Sequence, residues 1–161
     1  MLSDQFTVPL HHFVKHVSID HQFWKPDVII SIPEISVSLN TPDLFNERFI
    51  DLVFTYKGKF YLIDWKSNLL GKEADYYKSE NLIPIMQNDY YILQYHLYTL
   101  ALHKYLKNRL PNYDYEKDFG GIFYIFLRGI NKTKGPDYGI FRDRPQKNLI
   151  LEMERELTGQ W

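Results

Sequence analysis

The chain has 161 residues, with 19 Lys and Arg against 20 Asp and Glu, and a formal net charge of −1. That length and a hydrophobic content of 45% fit one soluble globular domain with a sizeable core. The lack of cysteine excludes disulfides and thiolate metal sites, and the near-neutral charge is unusual for an autonomous nucleic-acid binder, which normally carries a basic excess.

No apolar run approaches about 18 residues, and no basic segment precedes an apolar one at the N-terminus. The expectation is a cytoplasmic protein with no membrane contact. No Gly-x-x-x-x-Gly-Lys-Ser/Thr motif occurs, so no ATP site of that kind is expected in the chain.

Residues Met1 to Pro26 hold four of the six histidines, His11, His12, His16 and His21. Val8 to Val17 reads as a short helix with Leu10, Phe13, Val14 and Val17 as its apolar stripe. Val28 to Ile32 and Ile35 to Leu39 read as strands split by Pro33, and Asn40-Thr41-Pro42-Asp43 as a turn.

Phe49 to Asn68 is the densest stretch. Two runs rich in aromatic and β-branched residues flank Lys57-Gly58, which predicts a tight hairpin with Gly58 supplying a positive φ. A two-residue loop pairs Tyr56 with Lys59, and the same register sets Asp51 opposite Asp64. Opposed side chains lie close together, and like charges there are destabilising. At about 5 Å and an effective dielectric of about 20 the repulsion is on the order of 3 kcal/mol. Period-two alternation puts Lys66 on the face of Asp64. Two carboxylates and an ammonium thus converge on one patch, which a hard divalent cation between the carboxylates would stabilise. Two solvated strand carboxylates and a surface lysine are the plainer reading, although Asp is depleted in strands.

Asn68 to Gln87, with Gly71 and Pro84, reads as an irregular, partly helical excursion. Asn88 or Asp89 then caps a long helix ending near Asn108, before Pro111. Its stripes Tyr91, Gln94, Tyr95, Tyr98, Leu102, Tyr105 and Tyr90, Leu93, Leu97, Leu100, Leu106 cover most of the circumference, so the helix should be largely buried. Gln94 and Tyr98 share one face at i, i+4. Arg109 to Phe119 reads as a loop. The continuously apolar Gly121 to Leu127 reads as a central strand covered on both faces. Ile130 to Arg144 reads as a loop, and Pro145 opens a last helix with Leu149, Ile150, Met153 and Leu157 inward.

Several of these stretches resemble one family. Ile50-Asp51 followed by Leu62-Ile63-Asp64-Trp65-Lys66-Ser67-Asn68 resembles the active-site hairpin of PD-(D/E)xK nucleases. More narrowly, it is similar to the RecB-type nuclease domain, the C-terminal domain of the exodeoxyribonuclease V beta subunit. The resemblance continues through Leu93-Gln94-Tyr95-His96-Leu97-Tyr98-Thr99-Leu100-Ala101-Leu102 and Tyr113-Asp114-Tyr115-Glu116, then Phe119-Gly120-Gly121 and Phe126-Leu127-Arg128-Gly129. It covers roughly Phe49 to Arg144, and residues 1–48 match the family poorly.

The resemblance implies an α/β, restriction-endonuclease-like fold, a mixed central sheet of about four or five strands flanked by helices. It implies one domain over 1–161, part of a longer helicase–nuclease subunit. It implies Mg2+-dependent hydrolysis of DNA phosphodiesters, with Mn2+ able to substitute, in double-strand-break repair and recombination. Asp51, Asp64 and the backbone carbonyl of Trp65 would hold the metal. Lys66, Gln94 and Tyr98 would complete the catalytic group, and Ser67 and Asn68 would contact DNA. The helicase portion of the same subunit and the other subunits of the complex are the implied partners.

The family usually has a histidine metal ligand well upstream of the hairpin, in a Gly-x-x-x-His context that is missing here. His11, His12, His16, His21, Glu34 and Glu47 remain as substitutes by type alone, and Arg48 replaces a glycine that often opens the first hairpin strand. Two other readings stay open: a nuclease-inactive docking module of the same complex, and a standalone nuclease of other nucleic-acid specificity.

Overall fold

A computed structural model of the chain describes residues 28–30 and 50–158. The predicted helix at Val8 to Val17, the strand at Ile35 to Leu39, the turn at Asn40 to Asp43 and the upstream histidines and acids lie outside the described residues.

Strands β1 (Val28–Ile30), β2 (Leu52–Tyr56), β3 (Lys59–Lys66), β4 (Phe119–Phe126) and β5 (Ile140–Asp143) form one sheet in the order β1-β2-β3-β4-β5. All neighbours are antiparallel except β3 and β4, which are parallel. The connection from β3 to β4 carries helices α1 (Ser79–Asn88), α2 (Tyr91–Arg109) and the short α3 (Tyr115–Asp118), and α4 (Lys147–Thr158) follows β5. This mixed sheet with helices is the α/β, restriction-endonuclease-like fold that the motif order implies.

The hairpin forms as its turn chemistry dictates. Tyr56 pairs with Lys59, and Lys57 and Gly58 take φ of 50° and 73°, the two left-handed residues of a type I′ turn. Alternation then sorts the sheet faces. Val53, Leu62, Ile122, Tyr124 and Phe126 bury one face against Leu82 and Met86 of α1, Tyr95, Tyr98, Leu102 and Leu106 of α2, and Ile150 of α4. Leu52, Phe54, Ile63 and Ile125 form a second cluster on the other face, with Tyr56, Tyr61, Trp65, Phe123 and Ile130 packed on it. Continuous apolarity along β4 is therefore the mark of a strand covered on both sides.

Several expectations need correction. The excursion before the long helix is mostly helical: a 3₁₀ turn at Ala74–Tyr77 leads into α1, which contains Pro84. Proline removes a single helical hydrogen bond, and the fully buried Leu82 and Met86 anchor the helix on either side of it. Asn88 and Asp89 do not cap the long helix; they end α1, and Tyr90 stands between the helices at φ 57°. Tyr90 is accordingly 75% exposed rather than part of a buried stripe. Arg109 to Phe119 is not all loop, because the Asp114 side chain accepts from Glu116 N and Lys117 N and caps α3. Ile130 to Arg144 contains the edge strand β5. On α4, Ile150 is fully buried and Met153 half-buried, but Leu149 and Leu157 are exposed.

Two features make tests of this packing. Gly139 sits at φ 74°, donates its N–H to Tyr77 O and accepts from Phe126 N, both at 2.7 Å. A Cβ there would lie 2.8 Å from Phe126 O, whereas one on Gly135, at φ 79°, would meet open space. Gly139→Ala should cost about 2–4 kcal/mol in urea unfolding, from left-handed strain plus overpacking, against about 1–2 kcal/mol for Gly135→Ala. Equal losses would contradict the close approach.

His103 on α2 is 6% exposed and contacts the Tyr113 hydroxyl at 3.3 Å. Burial holds its pKa below the ordinary 6.5, outweighing the opposite pull of Glu154. Below about pH 6.5 the unfolded chain binds a proton that the folded chain resists, so this contribution is present above that pH and lost below it. Between about pH 7.5 and pH 5.5 the wild-type chain should lose more stability in urea unfolding than His103→Gln. Identical losses would show that the ring titrates normally.

Candidate active site

The open end of the β2–β3 hairpin coincides with the C-terminal ends of the parallel pair β3 and β4, the usual ligand edge of an α/β sheet. The ladder places Leu52 opposite Ile63, and one further step carries Asp51 to the position facing Asp64, as the sequence register requires. Regular pairing stops at Leu52. Asp51 is exposed, and its Oδ2 accepts a 2.8 Å hydrogen bond from Trp65 N.

Asp64 is 5% exposed, and its Oδ2 lies 2.6 Å from Lys66 Nζ. The inner carboxylate thus has the lysine beside it and the outer one a backbone amide. The repulsion expected between them is relieved by two different partners within the hairpin itself. Desolvating two charges is costly, and only a close pair with further hydrogen bonds repays it. Lys66 Nζ donates to Gln94 Oε1 at 3.0 Å and lies 4.0 Å from the Tyr91 ring centroid and 4.9 Å from that of Tyr124. Aromatic faces carry negative potential, so both rings favour the ammonium.

Gln94 joins helix to sheet. Its Oε1 also accepts from Tyr124 OH at 3.0 Å, and its Nε2 donates to Tyr98 OH at 2.9 Å. The i, i+4 spacing of Gln94 and Tyr98 makes that second bond a local one. Burial, reinforced by the negative charge of Asp64, pushes the Tyr124 hydroxyl far above the ordinary phenol range, so it stays protonated as a donor. Burial likewise raises Tyr91.

Asp64, Lys66, Gln94 and Tyr98 are therefore linked by successive contacts, and Asp51 joins them through the Trp65 amide. Ser67 is exposed, and its carbonyl accepts from Arg128 Nε at 2.9 Å. Asn68 faces inward, exchanging hydrogen bonds with Tyr91 OH at 3.1 and 3.2 Å and donating to Asp89 Oδ2 at 3.0 Å. Three neighbours of Lys66 or of the strand end escaped the sequence reading. Tyr124 is hidden in an apolar run, although the parallel register sets it beside Asp64. Tyr91 shares the helix stripe of Gln94 and Tyr98, but only those two carried an expected catalytic role, and Tyr91 counted as packing. Arg128 arrives through the 3₁₀ turn Leu127–Gly129 after β4.

Among the described residues no group of three or more His, Asp and Glu converges in a metal-binding arrangement. The hairpin supplies two carboxylates and the Trp65 carbonyl, all hard oxygen donors. That set suits a magnesium-type ion that keeps several waters and takes few protein ligands.

The fold and this edge of the sheet define an α/β protein of the restriction-endonuclease-like class. Over most of its length the chain is a homologue of the RecB subunit of the RecBCD enzyme. It is 49% identical to the Escherichia coli RecB subunit over 111 residues, 69% of this chain and 9% of that protein. Against Haemophilus influenzae RecB it is 51% identical over 105 residues, 65% of this chain and 8% of that protein. For RecB of Buchnera aphidicola subsp. Schizaphis graminum the match is 39% over 153 residues, 92% of this chain and 13% of that protein. The chain thus spans a small part of the length of these relatives. No family model matches it.

The charge arrangement has a measurable consequence. Lys66→Met removes the cation beside the buried Asp64 carboxylate and should cost about 3–5 kcal/mol in urea unfolding at neutral pH. Adding Asp64→Asn to that variant should recover a large share of the loss, because the uncompensated charge is gone. Additive losses in the double variant would show that the two groups are not coupled.

Proposed function

We propose that the chain is a metal-dependent nuclease domain that hydrolyses DNA phosphodiesters, within a longer helicase–nuclease subunit acting in DNA repair and recombination. The observation that carries the reading is the convergence of Asp64, Lys66 and Gln94 at the open end of the hairpin, with Asp51 tied to Trp65 beside them. Homology to RecB subunits supports the same class of activity.

Asp51, Asp64 and the Trp65 carbonyl are the residues that would hold a Mg2+ ion, with Mn2+ as a substitute. When bound, such an ion lowers the pKa of its water and stabilises negative charge on phosphate oxygens. Lys66 contributes a fixed positive charge toward the developing phosphorane oxygens. Gln94 aims that ammonium by accepting a hydrogen bond from it, and Tyr98 and Tyr124 hold Gln94 in the required rotamer. A carboxamide between two phenols and an ammonium has little freedom to turn, so the charge is preorganised rather than recruited. Ser67 and Arg128, exposed at the end of β3, are the proposed strand contacts, whereas the Asn68 side chain is engaged by Tyr91 and Asp89.

DNA grip is limited by charge. Phosphate neutralisation dominates nucleic-acid affinity, and 19 cationic side chains stand against 20 anionic ones. Lys78 and Lys134 pair with Asp75, Lys66 with Asp64, and Arg144 with Glu116 at the far end of β4, so little unneutralised positive charge lines the site among the described residues. The remaining length of the relatives, their helicase portion and the other subunits of the complex would supply the rest of the grip.

A second reading, a docking module without activity, draws on one observation. Leu93 and Leu97 of α2 and Leu149, Met153 and Leu157 of α4 line an open, wholly apolar groove of about 330 Å³, edged by Glu152 and Glu156. A cleavage assay separates the two readings. With magnesium at low salt the chain should degrade labelled single-stranded DNA slowly, with strong salt sensitivity and no response to ATP. Asp51→Asn retains an oxygen for the Trp65 amide and should fold normally, yet cut on the order of a hundredfold more slowly or worse. Lys66→Ala should lose cleavage while retaining metal binding in calorimetry. Equal cleavage by all three proteins would place the activity elsewhere, and no cleavage by a folded, metal-bound wild type would favour the docking module.

A further inference from the structure

Tyr90 is out of place by every local rule. It follows the end of α1 and precedes α2, at φ 57° and ψ 22°. Helix ends use this left-handed position constantly, but glycine or asparagine ordinarily fills it, because a bulky L-residue is strained there. The ring gains no burial in exchange, since Tyr90 is 75% exposed. An aromatic side chain that is both strained at its backbone and open to solvent calls for a role outside the fold.

Its neighbours say where it stands. Tyr91, the next residue, lies over the Lys66 ammonium at 4.0 Å. Asp89, the preceding residue, accepts from the Asn68 amide, which also bonds Tyr91 OH. The Asn68–Asp89 bond thus ties the end of β3 to the α1–α2 turn beside the catalytic lysine. On the other strand-end lip, Leu69 is 70% exposed. Two open apolar side chains, Leu69 and Tyr90, each sit one residue from that tie. The lip therefore presents an open phenol ring and an open leucine beside the cations of the strand end, Lys66 and Arg128. Such a surface beside a phosphodiester site fits the face of a nucleobase, which is exposed when the strand is unpaired.

We infer that Tyr90 is a stacking platform for an unpaired base of the substrate strand next to the scissile phosphate. The inference rests on the nuclease reading above and adds a base-binding subsite to it. It lets the domain select single-stranded over paired substrate by stacking, in addition to the salt-sensitive phosphate contacts.

The experiment uses the full chain and a short dye-labelled oligothymidylate, with calcium replacing magnesium and binding read by fluorescence anisotropy. Tyr90→Gly relieves the left-handed strain, so its melting temperature should rise or hold. Its affinity should fall roughly five- to a hundredfold, the range of one lost base–aromatic contact. Tyr90→Trp should bind at least as well as wild type. An oligonucleotide made of abasic sugars should bind wild type and Tyr90→Gly equally. If Tyr90→Gly binds the normal oligonucleotide as wild type does, or if its deficit persists with the abasic one, the stacking role is overturned while the nuclease reading stands. If wild type neither binds nor cleaves the strand, the nuclease reading fails and the inference with it.

Discussion

A carboxylate and an ammonium, Asp64 and Lys66, lie 2.6 Å apart beneath a helix, with side chains 6% and 11% exposed. Water is largely withdrawn from both, so their mutual attraction has to be completed by other groups. Those groups arrive from two elements that are distant in sequence. Helix α2 brings Gln94 and Tyr91, and β4 brings Tyr124. The parallel pairing of β3 with β4 and the seating of α2 on that face are therefore conditions for the pair to exist. In return the pair fixes the lysine ammonium at a defined place on the sheet edge.

Within the stretches that resemble the RecB type, chemistry and scaffold separate cleanly. Asp51, Asp64, Lys66 and Gln94 gather at the sheet edge. Tyr113-Asp114-Tyr115-Glu116 does structural work instead: Asp114 caps α3, the buried Tyr115 donates to Pro145 O at 2.7 Å, and Glu116 pairs with Arg144 at 2.7 Å. Arg144 also donates to Phe119 O, which fixes the start of β4. Phe119-Gly120-Gly121 serves packing as well. Gly120 leaves room for the Tyr61 ring, and Gly121, at φ 137°, lets the backbone pass close to Asp143 O. A motif shared with a nuclease family therefore need not be a motif of catalysis.

How far the sequence could be read follows from the kind of signal involved. The hairpin, its register and the role of β4 were legible because alternation, a Lys-Gly turn and a continuous apolar run are local patterns. The Asp51, Asp64 and Lys66 patch followed from that register alone. Helix α1 was missed because Pro84 and polar surface residues mask it, while what holds it is tertiary burial of Leu82 and Met86. Edge strand β5 was missed because its pairing with β4 is decided by the partner strand. Tyr124 and Tyr91 read as core by hydropathy, and only the crossing of α2 over β3 and β4 turns them toward Lys66. Tyr90 was assigned to a buried stripe because a helix was drawn through the turn that sets it outside.

The central claim is that Asp51 and Asp64 share a divalent cation at the open end of the hairpin. A crystal of the chain grown or soaked with manganese, with anomalous scattering recorded above the manganese edge, tests it without reference to activity. The account predicts a peak in contact with both carboxylates and the Trp65 carbonyl, lost in Asp51→Asn. A manganese peak elsewhere, with Asp51 still on the Trp65 amide and Asp64 still on Lys66, would contradict it.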